Sequence, residues 1–174
     1  MSAALLALRH IDSTKAELTW AKRVVLRPRV PLALSMRIAQ RRYGNGGTDI
    51  SDGLSADLIS LCRRSSVGVR VEVGKLPIAA QARAIAAKRG VSEWKLPFVM
   101  GGDFQFTVSS GRRNRSAMQK LGLHRIGVLV PSGYELVLPD GSSMPLPDIG
   151  HSDGHQLDFS AEVESLLSMF RRND

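Results

Sequence analysis

Several things are scarce in this 174-residue chain, and each scarcity closes a class of explanation. Cys62 is the sole cysteine, so no intramolecular disulfide can form, and a cysteine-built metal site is not expected. Aromatic residues make up 5 % of the chain, and no stretch interleaves them with basic residues as single-strand nucleic-acid binders do. No apolar run approaches the ~20 residues a membrane-spanning helix needs; Ile126–Pro131 is among the longest. The apolar stretch Ala3–Leu8 has neither a basic region before it nor a small-residue cleavage site after it, which argues against a signal peptide. Internal repeats and low-complexity segments are also lacking. A cytoplasmic address is the expectation, with no membrane partner.

The residues that are present can build a core. Apolar residues make up 43 % of the chain and charged residues 23 %, which suits one ordinary domain or a domain with a short appendage. The formal net charge is +8, and 18 of the 24 basic residues are arginine. Arginine's planar fork can grip two phosphate oxygens at once, so an anionic partner is expected. The arginines lie mostly in scattered pairs, Arg41–Arg42, Arg63–Arg64, Arg112–Arg113 and Arg171–Arg172, which solvated helix faces explain well. Arg112, Arg113 and Arg115 are candidates to reach a phosphate, with solvated surface as the plainer reading. Nucleic acid is not the expected partner; binding to it would show a steep salt dependence.

The first 25 residues read as helical with a break near His10–Ser13, followed by the proline-stiffened connector Arg27-Pro28-Arg29-Val30-Pro31. The spacing predicts a helix over Leu32–Arg42, a loop at Gly44–Gly47, and a helix over Leu54–Arg64 with Leu54, Leu58, Leu61 and Cys62 inward. Val67–Val73 alternates as a strand does, and residues 78–89 read as an alanine-rich helix. A turn is expected at Gly101-Gly102, a strand at Phe104–Val108, a helix over Arg112–Leu121 and a strand over Leu123–Val130. Tyr134–Leu138 and Ser142–Leu146 form a hairpin pattern around Asp140-Gly141. Ser160 is placed to cap a last amphipathic helix facing in with Val163, Leu166, Leu167 and Phe170. Helices and strands mix without strict alternation, so the fold class is a layered α/β (α+β) domain.

One motif carries chemistry. Asp49-Ile50-Ser51-Asp52-Gly53-Leu54 sets two carboxylates three residues apart just before a helix. A helix start offers unpaired N–H groups and partial positive charge to a phosphate. Magnesium takes one or two protein carboxylates and completes its shell with phosphate oxygens and water. Ser51 adds a hydroxyl, and Gly53 leaves room for a ligand. Phosphoryl transfer needs that combination of metal and positioning. A plainer alternative stands beside it: Ser51 or Asp52 caps the helix and Asp-Gly makes a turn. The remaining candidates are weaker. His10, His124, His151 and His155 are possible ligands or bases, although the loop-forming Asp153-Gly154 separates the last two. Cys62, Trp20 and Trp94 read as packing residues, Trp94 with the option of lining a pocket.

The signature continues as Ser55-Ala56-Asp57-Leu58, and the whole resembles the Asp-x-Ser-Asp-Gly-Leu-x-x-Asp-Leu pattern of thiamine-monophosphate kinases. Arg27–Ala33 resembles that family's Arg-Pro-x-Pro-Arg-Val segment, and Val67–Ile78 its strand ending in Leu-Pro. Gly101-Gly102-Asp103-Phe104 resembles its paired-glycine acidic turn, and Ile126-Gly127-Val128 a late strand. The series runs in order over residues 25–130. The resemblance implies a purM-like C-terminal domain, a layered sandwich of a mixed sheet and helices over 27–174, with 1–26 as a helical linker segment. It also implies that Asp49 and Asp52 bind magnesium, that Asp52 is catalytic, that Ser51 and Gly53 contact ATP, and that Asp103 contacts the phosphorylated small-molecule substrate. A nucleotide-binding N-terminal half or a homologous subunit would complete the kinase; the sister families of the superfamily lack the Ser-Asp-Gly core. The expected function is therefore an ATP- and Mg-dependent phosphotransferase domain of thiamine biosynthesis, inactive unaided. The alternative is a non-catalytic anion- or partner-binding remnant. Gln105 stands where the family has an acid, and Ile149-Gly150-His151 and Gly154-His155 only loosely echo the family's aromatic ending, which bears on the substrate.

Overall fold

A computed structural model describes residues 1–102 and 104–149. Two helices open the chain, α1 (Ser2–Arg9) and α2 (Lys15–Leu26), and the break between them falls where the sequence places it. Thr14 starts α2 with a reciprocal cap: its hydroxyl accepts from the Glu17 N–H at 3.2 Å, and its own N–H donates to the Glu17 carboxylate at 2.6 Å. Alanines at 3, 4 and 7 let α1 sink into the core with Leu6, and the Ser2 hydroxyl donates to the Leu96 carbonyl at 2.8 Å. The helices over residues 1–26 thus share one apolar cluster with residues 54–149.

After the connector come α3 (Leu32–Gln40), β1 (Gly46–Asp49), α4 (Leu54–Arg64), β2 (Gly68–Glu72), α5 (Ala80–Lys88) and α6 (Leu96–Val99). β3 (Phe106–Ser109), α7 (Arg115–Lys120), β4 (Gly127–Val130), β5 (Tyr134–Val137) and β6 (Ser143–Pro145) complete the described elements. β1 and β3 form a two-stranded antiparallel sheet. The other four strands form a mixed sheet in the order β4-β2-β5-β6, with β2 parallel to β5 and antiparallel to β4. Val69, Val71 and Leu136 bury one face of it, α4 packs on β2, and α1, α4, α5 and α6 close the core around Phe98, Ile59, Ile85 and Val99. Each such side chain taken out of water contributes about 1.5–3 kcal/mol. The architecture is the expected α+β sandwich of mixed sheet and helices.

Three local expectations shift. Gly46 and Gly47 belong to a strand, because pairing with Val108 and Ser109 supplies what glycine's own propensity does not. The strand expected from Leu123 starts only at Gly127, since Leu123 still donates its N–H to the Met118 carbonyl as the exit of α7. On α4, Ile59 is buried and Leu61 only half-buried. The expected helix after Ser160 lies outside the described residues.

Four helices end in the same way. After α3, α4, α5 and α7, the residue two beyond the last helical one turns left-handed, and the N–H after it reaches back to a carbonyl of the last turn. Gly90 and Gly122 fill that position in α5 and α7, where no Cβ resists. In α3 and α4 it is filled by Arg42 (φ 51°) and Ser66 (φ 52°).

Candidate functional site

The signature Asp49–Leu54 leaves the end of β1 and enters α4, which buries Leu54, Leu58, Ile59 and Cys62 and so fixes where the helix begins. Along its length the turn is stitched to residues 98–105. The Ile50 N–H donates to the Gln105 carbonyl at 2.8 Å, and the Gly102 N–H donates to the Ile50 carbonyl at 3.2 Å. A Cβ on Gly101 would overlap the Ser51 carbonyl group. Gln105 also donates from its side chain to the Arg29 carbonyl at 3.1 Å, which draws the proline-rich connector to the same place.

Gly53 has a role different from the one expected. Its φ is +123°, and a Cβ there would lie 2.8 Å from the Phe98 carbonyl oxygen and 3.3 Å from the Val99 carbonyl carbon. The glycine lets two backbones touch; the room it makes is taken by the 98–100 segment. The capping alternative is also decided, since neither Ser51 nor Asp52 caps α4. Gly53 occupies the cap position, and the first-turn N–H groups of Leu54, Ser55 and Ala56 meet no capping side chain.

Asp57 stabilises this turn, a role that sequence reasoning did not assign to it. One carboxylate oxygen accepts from the N–H of Asp52 at 3.2 Å and of Gly53 at 3.1 Å. The residue is 6 % exposed. Burial pushes its carboxyl above the ordinary carboxylate value, opposed by the two N–H groups and reinforced by the charges of Asp52 and Asp49. The three carboxylates therefore share one electrostatic neighbourhood. Two sequence signals pointed to Asp57, its place in the extended signature pattern and its position one turn into a helix, but neither gave it this structural role.

Asp49 and Ser51 are exposed and Asp52 is half-buried, so all three are open to a ligand. Asp103 lies outside the described residues; Gly102 and Gln105 on either side of it are hydrogen-bonded to Ile50. Among the described residues, no three of His, Cys, Asp and Glu gather as a closed metal cage. Two open carboxylates beside an uncapped helix start instead fit a cation that borrows its remaining ligands from phosphate and water. His151 and His155 lie outside the described residues. Cys62 is buried, and burial raises its thiol, as a packed core residue requires. Trp94 packs edge-on against Phe98 at 6.3 Å between ring centroids.

The fold is a mixed-sheet α+β domain consistent with the purM-like fold. No protein-family profile matches the chain. Over 101 residues it is 30 % identical to the thiamine-monophosphate kinase of Methanopyrus kandleri, a match that covers 58 % of this chain and 32 % of that one. Its structure superposes on AaThiL complexed with AMPPCP and TMP with a TM-score of 0.69 at 24 % identity, covering 86 % of this chain and 47 % of that one. Against the thiamine monophosphate kinase of Aquifex aeolicus the TM-score is 0.65 at 26 % identity, with 82 % and 47 % covered. In sequence and in fold, then, the chain is similar to thiamine-monophosphate kinases, and the resemblance is to their C-terminal-like part. It spans about a third of the curated relative's length and about half of the structural ones.

Proposed function

We propose that this chain is the metal-, phosphate- and substrate-contacting domain of an ATP- and Mg-dependent phosphotransferase of the thiamine-phosphate kinase type. The observation that carries the reading is a start of α4 that no side chain caps, preceded by the exposed Asp49 and the half-buried Asp52, with the buried Asp57 bonded to the N–H groups of Asp52 and Gly53. An uncapped helix start receives phosphate oxygens on its N–H groups. Ser51 donates a hydroxyl hydrogen bond to the same group, and Asp103 meets the substrate. Asp49 and Asp52 hold Mg²⁺, which neutralises charge on the phosphates when bound. Asp57 fixes the Asp52 backbone while its own oxygen stays engaged. In this reading residues 27–174 form the purM-like domain, residues 1–26 pack into it, and most contacts to ATP come from a nucleotide-binding half or homologous subunit.

Support comes from the similarity to a thiamine-monophosphate kinase over 101 residues, and from superposition on a relative whose complex holds AMPPCP and TMP. Among the described residues no helix is long and apolar enough to cross a membrane. The test mixes the chain with a separately produced N-terminal half of a thiamine-monophosphate kinase and follows phosphorylation of thiamine phosphate with Mg-ATP. The chain alone is expected to be inactive, the pair active, and the pair with Asp52→Asn silent. A pair that binds no nucleotide with Mg²⁺ and is indifferent to Asp52→Asn would leave the non-catalytic, anion-binding reading in its place.

A further inference from the structure

Two of the arginine pairs that read as scattered, solvated faces, Arg41–Arg42 and Arg112–Arg113, are brought together in the fold. β1 and β3 pair with Gly46 opposite Ser109, so the chain before β1 and the chain after β3 emerge at one end of the small sheet, away from Asp49 and Phe106. There the Tyr43 carbonyl accepts from the Ser110 hydroxyl at 2.6 Å and from the Asn114 side-chain amide at 3.1 Å. These contacts set Arg41–Arg42 beside Arg112–Arg113 and Arg115. On the flank, α3 and α7 enclose a cleft of about 360 Å³ lined by Ala33, Leu34, Leu121, Arg37 and Lys120.

All seven of these cations are exposed. None pairs with a carboxylate among the described residues, whereas Arg63, Arg70, Lys75, Arg83, Lys88, Arg89 and Arg125 all do. The sequence leaves no acid to do so locally: none occurs between Glu17 and Asp49, or between Asp103 and Glu135. Folding does not call for this arrangement. Arg37 and Arg41 suit the negative end of α3, but Arg112, Arg113 and Arg115 precede or open α7, where the helix field repels cations. Arg42 sits left-handed at φ 51°, in the position that Gly90 and Gly122 fill elsewhere. An arginine held there forgoes the conformational ease of glycine and keeps a charge at the sheet end.

We infer that the α3–β1–β3–α7 lobe is a docking face for the phosphodiester backbone of double-stranded nucleic acid, read without regard to sequence. Six of the seven cations are arginines, whose forks match phosphate oxygens. Their uncancelled field extends over several phosphates, since a duplex carries one charge per ~1.7 Å of axis. Single strands are disfavoured because Tyr43 is the one aromatic within the cluster and it is half-buried, which leaves no stacking platform. The face is separate from the Asp49–Asp52 turn and does not depend on the kinase reading.

The test is fluorescence anisotropy of the full chain with a labelled 20-base-pair duplex across a salt series. With about four phosphates engaged, affinity should fall on the order of 100-fold between 50 and 200 mM salt. Arg41→Gln with Arg42→Gln, or Arg112→Gln with Arg113→Gln, should each weaken binding at 100 mM by at least about 20-fold, at roughly 8-fold per lost contact. Arg63→Gln with Arg70→Gln removes the same charge elsewhere and should change it less than about 3-fold. Arg42→Gly separates folding from binding, because it should raise the urea midpoint while lowering duplex affinity. A flat salt response, equal loss in the Arg63/Arg70 pair, or Arg42→Gly binding as tightly as the parent would overturn the inference. So would tighter, equally arginine-dependent binding to an acidic protein or to vesicles rich in phosphatidylserine.

Discussion

Replacing Gly53 by alanine tests whether the signature turn is built by backbone contact. Two penalties apply at this position. The conformation at φ +123°, ψ 147° is one that side-chain-bearing residues scarcely adopt, which costs about 1–3 kcal/mol. The new methyl would also lie 2.8 Å from the Phe98 carbonyl oxygen and 3.4 Å from the Met100 nitrogen, main-chain atoms that cannot swing aside, which adds about 1–3 kcal/mol. The alanine's stiffer unfolded chain returns about 0.4–1 kcal/mol. The net loss is about 1–5 kcal/mol, with a central value near 3 kcal/mol. Gly90→Ala is the matched control: φ is +64°, nothing lies within 4 Å of its Cβ, and only the conformational cost of about 1 kcal/mol applies. Urea unfolding followed by circular dichroism, with equal m values, measures both. If Gly53→Ala costs no more than Gly90→Ala, the 98–100 segment does not press on the turn and the account of the site's shape fails.

Other variants probe the same construction. Asp57→Ala strands the buried Gly53 N–H and should cost about 1–3 kcal/mol, while Asp57→Asn keeps one acceptor oxygen and should cost less; equal losses would mean the hydrogen bonds to Asp52 and Gly53 contribute little. Ser66→Gly should stabilise by about 0.5–1 kcal/mol, since Ser66 holds φ 52° at the end of α4, and a lowered urea midpoint would contradict that helix ending. Glu17 is held below its ordinary value of 4.5, first by the Thr14 N–H and then by Lys88, so its contribution is present above that value and is lost as pH falls through the lowered one. Melting temperature should therefore climb as pH rises through the acid range toward 4.5, and Glu17→Gln should flatten part of the climb; an unchanged slope would remove the cap from the account.

Local chemistry made much of this legible in the sequence. The breaks at His10–Ser13 and Arg27–Pro31, the helix over Leu54–Arg64, the valine alternation of β2 and the hairpin at Asp140-Gly141 depend on near neighbours and periodicity, and the chain shows them as expected. The place of Asp49–Asp52 ahead of a helix was legible for the same reason. Its inner construction was not. That Gly53 serves a backbone contact, that Gly101 presses on Ser51, and that Asp57 turns inward to hold two N–H groups all depend on where residues 98–105 pass in space.

The glycine pair at 46–47 shows the limit plainly. Nothing local favours a strand there, and only Val108 and Ser109, some sixty residues on, make it one. That pairing also brings together the arginines at 41–42 and 112–113, which one-dimensional spacing disperses. The sequence by itself settled the fold class, the family likeness and the helix that carries the signature, because each is written in residues a few positions apart. The tertiary structure alone decided what holds the signature in place and where the unpaired charge collects, because long-range backbone pairing creates neighbours that spacing along the chain does not reveal.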